Sequence, residues 1–357
     1  MRAQHTEAGS PDDGRADALL IGLLEHYSPS GQESAAAEYL VAQMQDLGLC
    51  AAVDPAGNAV GEIGDGDQVI ALLGHIDTVP GAIEVRRQGT LLYGRGAVDA
   101  KGSLAAFVCG TARAGRLAGK RIIVAGAVEE EAATSKGARY LLARLSPVAA
   151  VIGEPSGWNR ITVGYKGRLL LDYTKSQQVG HTAGPVTSAA EGAVAFWQRV
   201  VDWAALRNAG HDRVFDQVTP SLRHIRSDDD GFVEQAEMTL GLRLPPGIDP
   251  NHLQEELVQM AGGAELSFHG YEQAFRAPRT TPLARAFVRA IGMQGERAVF
   301  ATKSGTSDMN VVGPVWQCPI MAYGPGDSAL DHTPNEHLDL SEYHRAIEVI
   351  ASVLRDL

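Results

Sequence analysis

The chain has 357 residues, 45% of them hydrophobic, which is long enough for two domains with sizeable cores. Its 43 acidic residues against 31 basic ones give a net charge of −12, which disfavours nucleic acid as a partner because phosphate binding needs an excess of Lys and Arg. No apolar run approaches the roughly 20 residues of a membrane-spanning helix, so no membrane association is expected, and the three cysteines, Cys50, Cys109 and Cys318, lack a C-x-x-C pairing, which fits a reducing cytoplasm.

The stretch 1–15 is polar, rich in Gly and Asp, and lacks the basic-then-apolar order of a secretory signal; a short disordered tail is expected there. Amphipathic helices are expected over 16–26 and 33–47, the second followed by Gly48, which suits a helix C-cap. Four apolar segments then each lead to a carboxylate or a histidine: 69–74 into His75, 122–128 into Glu129-Glu130-Glu131, 149–153 into Glu154, and 319–323 into a loop that reaches His332. Short continuous apolar runs read as strands buried on both faces of a parallel sheet. Ligands of open α/β sheets collect outside the carboxyl ends of the strands, so these polar residues are expected on one rim.

Residues 103–108 read as a buried helix. From 167 to 270 the pattern changes to strand (169–174), long helix (188–206), two strands (221–226 and 234–243), helix (250–260) and strand (265–269), a βαββαβ order that fits an inserted ferredoxin-like unit. The fold class expected is α/β, a mostly parallel-sheet catalytic domain over 16–166 and 271–357 carrying this insert over 167–270.

The chemistry is carried by short motifs. Gly74-His75-Ile76-Asp77 sets a histidine and an aspartate two apart at a strand end, on one face, where Asp77 can fix the ring of His75. Gly94-Arg95-Gly96-Ala97-Val98-Asp99 brings Asp99 to a helix start, where an N-cap is the ordinary alternative. Three consecutive carboxylates after a buried strand repel one another unless cations or protons intervene, although a solvated acidic loop is the ordinary reading of a charge run. Two histidines and three carboxylates suit zinc with open positions, with cobalt or manganese as substitutes. A pair of such ions sharing one carboxylate would acidify a water, leaving a spare glutamate as base.

The ordered set G-H-x-D-x-V-P, G-R-G-x-x-D-x-K-G, E-E-E, G-E-P, G-H-x-A-x-P and H-T-P-N-E resembles the di-zinc aminoacylase and carboxypeptidase family, which includes acetylornithine deacetylase, succinyl-diaminopimelate desuccinylase and the glutamate carboxypeptidases. The resemblance implies a zinc-exopeptidase-like catalytic domain. It also implies two Zn2+ (Co2+ as the substitute), with His75, Asp99 and Glu154 on one ion and Asp99, Glu131 and His332 on the other. Glu130 would be the general base, and Asp77 would orient His75. His181 would contribute to the oxyanion site, a role worth about 3 kcal/mol for comparable donors. Further implied features are a cis peptide after Asp99, a homodimer through the inserted lid domain, and closure of the domains during catalysis.

Two departures stand out: Glu129 replaces the aspartate of D-E-E, and Gly241-Leu242-Arg243-Leu244-Pro245 lacks the aspartate of the family's D-x-R, although Arg243 remains to grip a substrate carboxylate. Lys303, Ser304 and Gly324 flank rim segments and are further candidates for substrate contact. The segments 153–159, 163–168 and 301–310 resemble the subgroup that releases lysine, and in some organisms ornithine, from the terminal glutamate of a small acidic amino-group carrier protein, in lysine and arginine biosynthesis. An acidic carrier calls for a basic rim, for which Arg160, Lys166, Arg168 and Lys175 are close enough in sequence. Alternatives are an N-acetylornithine or N-acetyl-lysine deacetylase, a dipeptidase, or a non-catalytic binding protein; the intact set of ligand positions and Glu130 argues against the last.

Overall fold

The computed structural model describes residues 11–181, 184 and 186–357. Most of the tail expected over 1–15 therefore lies outside the described residues. Its last part does not behave as a tail: the first helix, Asp13–Glu25, starts inside it because the Asp12 side chain accepts from the Arg15 N–H and caps the first turn.

The chain forms two compact units. Unit one comprises the described residues up to Gly164 together with Ala277–Thr302 and Ser307–Leu357; unit two comprises Tyr165–Arg276 with Lys303–Thr306. At the centre of unit one, the strands Lys120–Ala127, Gln68–His75, Ala149–Gly153 and Ile320–Tyr323 lie side by side in that order, all parallel. These are the four apolar segments of the sequence. Nearly every residue in them is buried, because both faces carry cover and no polar alternation is needed. Antiparallel strands flank the parallel core, Ala59–Gly64 and Cys50–Val53 on one side and Arg160–Tyr165 on the other.

Helix Lys101–Ala114 is buried along almost its whole length, with Leu104 and Phe107 packed into the same core as Ile70, Val124 and Val151. The close approach requires glycine: a Cβ on Gly74 would sit 3.1 Å from that of Leu104, and one on Gly153 would lie 3.0 Å from the Phe107 ring. The C-terminal helix Leu340–Asp356 packs its Tyr343, Ile347 and Ile350 face into this core as well.

Unit two is an antiparallel four-stranded sheet in the order Thr219–Asp229, Val233–Leu244, Gly167–Gln178, Glu265–Glu272, with helices Ala189–Asn208 and Pro250–Met260. Numbered along the chain, that spatial order is 2-3-1-4, the ferredoxin-like arrangement. Leu169, Leu171 and Tyr173 alternate along the central strand onto one face, where they meet Phe196, Leu253 and Leu257 from the helices. The long helix begins with a capping box between Ser188 and Glu191, legible as S-x-x-E. The unit reaches beyond 270 because its last strand runs on to Glu272, and 303–306 joins it through Lys166 N–H donating to Lys303 O at 3.2 Å and Arg243 Nη1 donating to Thr306 Oγ1 at 3.1 Å.

Lys166 corrects the expected basic rim. Its side chain is fully buried, and Nζ donates to Val214 O at 3.0 Å and to Thr219 Oγ1 at 2.8 Å. Burial, with the nearby Arg243 charge, pulls its pKa down to about 8. The ammonium is spent inside unit two and cannot face a partner; Arg168 is half-buried, with Nε donating to Gly270 O. Lys166→Ala is therefore expected to lower stability by about 1–3 kcal/mol, since Val214 O and Thr219 Oγ1 lose a buried donor. Chemical denaturation measures it, and an unchanged midpoint would return Lys166 to the surface.

Candidate metal centre

His75 closes its strand and is almost completely buried. Its Nδ1 lies 3.0 Å from the main-chain oxygen of Asp77 and 3.6 Å from Asp77 Oδ1, so the carbonyl is the nearer partner. This leaves Nε2 as the ligating atom, 3.2 Å from Asp99 Oδ1. The other Asp99 oxygen, Oδ2, is 3.0 Å from His332 Nε2, which also lies 2.8 Å from Glu131 Oε1. Asp99 thus offers one oxygen to each histidine, as a bridging carboxylate must. The peptide Asp99-Ala100 is cis.

Ligand atoms of His75, Asp99 and Glu131 fall within 4.8 Å of one another, and so do those of His75, Glu130 and Glu154. The structure brings Glu154 to His75 in company with Glu130. His75, Asp77, Asp99, Glu130, Glu131, Glu154 and His332 all stand together at one end of the parallel sheet, within unit one.

The triple glutamate holds its shape through its backbone. Glu129 turns the chain with φ +59°, and its N–H donates to Glu33 Oε1 at 3.2 Å. The N–H groups of Glu130 and Glu131 donate to Asp77 Oδ1 and Oδ2, each at 3.0 Å, and Ser30 Oγ donates to Oδ2 at 2.7 Å. The carboxylate of Asp77 is therefore mainly an anchor for the glutamate loop. Two buried carboxylates accept three successive N–H groups, which aims the side chains of Glu130 and Glu131 into the cluster.

The electrostatics fit a pair of cations. Burial, then Glu154, Asp308 and Glu131, push the Glu130 carboxyl well above its usual range, against the pull of His75. Burial and Asp99 raise Glu131 as well. Contacts with Asp99 and Glu131 lift His332 to about 10, and His75 rises well above the usual range because hydrogen bonds to Asp77 and Asp99 outweigh its burial. The histidines thus hold protons where the donor set calls for positive charge, and divalent ions would take that place. A mixed nitrogen and oxygen donor set of this kind suits zinc or a similar ion.

A second layer of residues has no role in the sequence reading. Glu336, fully buried, accepts from Val98 N–H at 2.9 Å and Asp99 N–H at 3.1 Å through Oε1, while Oε2 meets Arg95 Nη1 at 2.8 Å. Arg95 also donates from Nη1 to Thr333 O and from Nε to Gly81 O. This pair therefore fastens the loops of Asp99 and His332 and the stretch after Asp77. Buried Lys101, pulled down to about 7 by burial, ties the same loop to Leu23 O and His26 O. The signal was present in sequence, because Arg95, Lys101 and Glu336 lie inside the G-R-G-x-x-D-x-K-G and H-T-P-N-E motifs.

Gly324 also belongs to unit one, where an added Cβ would sit 1.9 Å from Ser103 Oγ and 2.8 Å from Glu154 O, so glycine is needed for packing beside the ligand. The remaining candidates are in unit two. Arg243 sits on the strand Val233–Leu244, opposite Arg168, and contacts Thr306. Lys303 accepts from the Lys166 N–H through its carbonyl, Ser304 is exposed, and His181 lies exposed after the strand Gly167–Gln178. Of the G-H-x-A-x-P motif, Ala183 and Pro185 lie outside the described residues.

Glu336→Gln keeps the shape of the buried side chain and removes its charge. The expected result is metal affinity about 10–100-fold weaker, as is usual when a supporting partner of a ligand is altered. Chelator competition measures it, with the melting temperature of the metal-free form as the control; unchanged affinity would make the pair purely structural.

The peptidase family M20/M25/M40 model matches residues 71–356. The LysW-lysine hydrolase of Deinococcus radiodurans is 47% identical over 356 residues, covering 98% of each chain. The LysW-lysine/LysW-ornithine hydrolase of Saccharolobus solfataricus is 29% identical over 346 residues, with 96% of each chain covered. Among solved structures, an M20 family metallo-carboxypeptidase from Sulfolobus solfataricus superposes with a TM-score of 0.76 at 18% identity, over 95% of this chain and 98% of that one, a likeness of fold. With this extent of match, a mostly parallel sheet and a buried histidine-carboxylate cluster at its carboxyl end, the chain belongs to the peptidase family M20/M25/M40.

Proposed function

We propose that the chain is a metal-dependent amidohydrolase that releases lysine from the terminal glutamate of a carrier protein, with ornithine as the alternative amino acid. The observation that carries this reading is a 47% identical relative, named LysW-lysine hydrolase, matched end to end, together with the intact donor cluster.

His75, Asp99, Glu131, Glu154 and His332 would hold two divalent ions, zinc by preference and cobalt as a substitute. When bound, such ions polarise the amide carbonyl and acidify water. Glu130 takes the proton of the attacking water and delivers it to the amide nitrogen as the C–N bond breaks, leaving a free amine and a carboxylate. Its position supports the assignment, because its carboxylate lies within 4.8 Å of ligand atoms of His75 and Glu154, in reach of a water held at the cluster. Asp77 keeps Glu130 in place through the backbone N–H. His181 would supply a donor to the oxyanion, and Arg243, Lys303 and Ser304 would recognise substrate carboxylate.

The test compares two substrates on the metal-loaded enzyme: lysine joined through its α-amino group to the γ-carboxyl of a carrier's terminal glutamate, and free N-acetylornithine. Preference for the conjugate is expected, with kcat reduced about 10³-fold in Glu130→Gln. Preference for N-acetylornithine would move the enzyme to the deacetylases; full activity in the variant would remove Glu130 as base.

The reading extends to a homodimer in the cytoplasm. The edge strand Thr219–Asp229 of unit two is largely exposed, with Leu222 and Ile225 outward, and its free side suits pairing with a second copy. Sedimentation is expected to give a dimer at micromolar concentration, and monomers alone would rule it out.

A further inference from the structure

The acidic chain carries an arginine cluster on unit one. Arg160, Arg279, Arg297 and Arg345 are all exposed, and among the described residues none of them makes an ion pair. Several arginines elsewhere are neutralised by carboxylates: Arg95 pairs with Glu336, Arg113 with Asp13 and Glu348, and Arg207 with Glu256. Two of the four lie over aromatic rings. The Arg345 guanidinium stands 4.7 Å from the centre of Trp158, and that of Arg279 stands 5.6 Å from the centre of Phe300.

The cluster is assembled by the sheet. Val299 N–H donates to Asn159 O at 3.0 Å, which brings the segment that carries Arg297 against the loop of Trp158 and Arg160. Glu342 touches this loop through Oε1, which accepts from Trp158 N–H at 2.7 Å and Gly326 N–H at 3.1 Å. The strand Arg160–Tyr165 runs antiparallel to Ile320–Tyr323, which is itself parallel to Ala149–Gly153, the strand that leads to Glu154. Arg160, at the start of its strand, therefore stands at the same end of the sheet as Glu154, two strand positions or about 10 Å away.

We infer that Arg160, Arg279, Arg297 and Arg345, with Trp158, form the docking face for the body of the carrier protein, which presents carboxylates to them while its terminal glutamate reaches the metal centre. This rests on the carrier-hydrolase reading above. Arginine and tryptophan are the residues that dominate binding at protein interfaces, and unpaired guanidinium groups raise the encounter rate with an acidic surface. A nucleic acid is disfavoured as the occupant because the remaining surface of a chain with net charge −12 repels a polyphosphate. Three members of the patch come from separate segments, around 160, 297 and 345, so no single sequence window shows it. Of the rim expected from sequence, only Arg160 belongs to it.

The test is Arg160→Glu combined with Arg297→Glu in the metal-loaded enzyme, with N-acetyl-lysine as a small substrate that needs no docking. Expected are a fall of about tenfold or more in kcat/KM for the carrier conjugate at low salt, carried by KM, and unchanged turnover of N-acetyl-lysine. The wild-type rate on the conjugate should decline as salt rises from 50 to 500 mM, whereas that of the variant should stay flat. Equal kcat/KM for wild type and variant on the conjugate overturns the docking face and leaves the proposed reaction standing. Failure of the wild type to cleave the conjugate, with N-acetyl-lysine turned over, overturns both. Competition by a single-stranded oligonucleotide at concentrations below those of the carrier would reassign the face to nucleic acid.

Discussion

Packing carboxylates at the end of a buried sheet is the constraint around which the rest of this molecule is arranged. Asp77, Asp99, Glu130, Glu131 and Glu154 crowd about two histidines, and burial raises the energy of every one of those charges. Such a cluster survives only if cations or protons neutralise it and if the backbone keeps the groups from spreading apart. The first condition explains why His75 and His332 hold protons so firmly; the second explains why so much of the surrounding hydrogen bonding ends on a carboxylate.

That second condition is met three times by the same device. Glu33, Asp77 and Glu336 are each buried, and each accepts backbone N–H groups from the loop that carries a donor: Glu33 from Glu129, Asp77 from Glu130 and Glu131, and Glu336 from Val98 and Asp99. A carboxylate that accepts from N–H groups anchors the loop without a helix or strand to hold it. Serine or threonine in the same places would offer a single oxygen and no charge, and could not hold two neighbouring N–H groups on separate oxygens as Asp77 does.

The parallel core was legible because strands buried on both faces must be apolar throughout, and the four runs before His75, Glu129, Glu154 and His332 became neighbours in the sheet. The insert was legible from its change of period. What could not be read was which polar side chains turn inward. Lys166 looks like a rim residue in Tyr165-Lys166-Gly167-Arg168, and only the turn around Val214 and the neighbouring strand at Thr219, about 50 residues away, supply the acceptors that bury it. Glu336 lies inside the H-T-P-N-E motif, but the loop it supports, that of Asp99, is 237 residues away in sequence. Long-range partners, not local propensity, decide both positions.

Glu129 shows how such a loop accommodates a residue that local rules disfavour. At φ +59° a short aspartate or asparagine is the easier choice, and a longer side chain costs about 1 kcal/mol. Here the extra methylene has a use: Glu129 Oε2 accepts from Thr134 Oγ1 at 2.6 Å, and Oε1 lies 3.4 Å from Lys136 Nζ. A hydrogen bond to a charged group recovers about 1.5–3 kcal/mol when buried and less at this partly exposed site, enough to offset the strain. The bond also closes the loop from 129 to 136 onto itself, and Gly137 N–H, donating to Val128 O at 3.0 Å, completes the clasp. The glutamate at 129 thus turns to Thr134 and Lys136 and stabilises the turn, which relieves the run of one of its three charges, while Glu130 and Glu131 still repel each other inside the cluster.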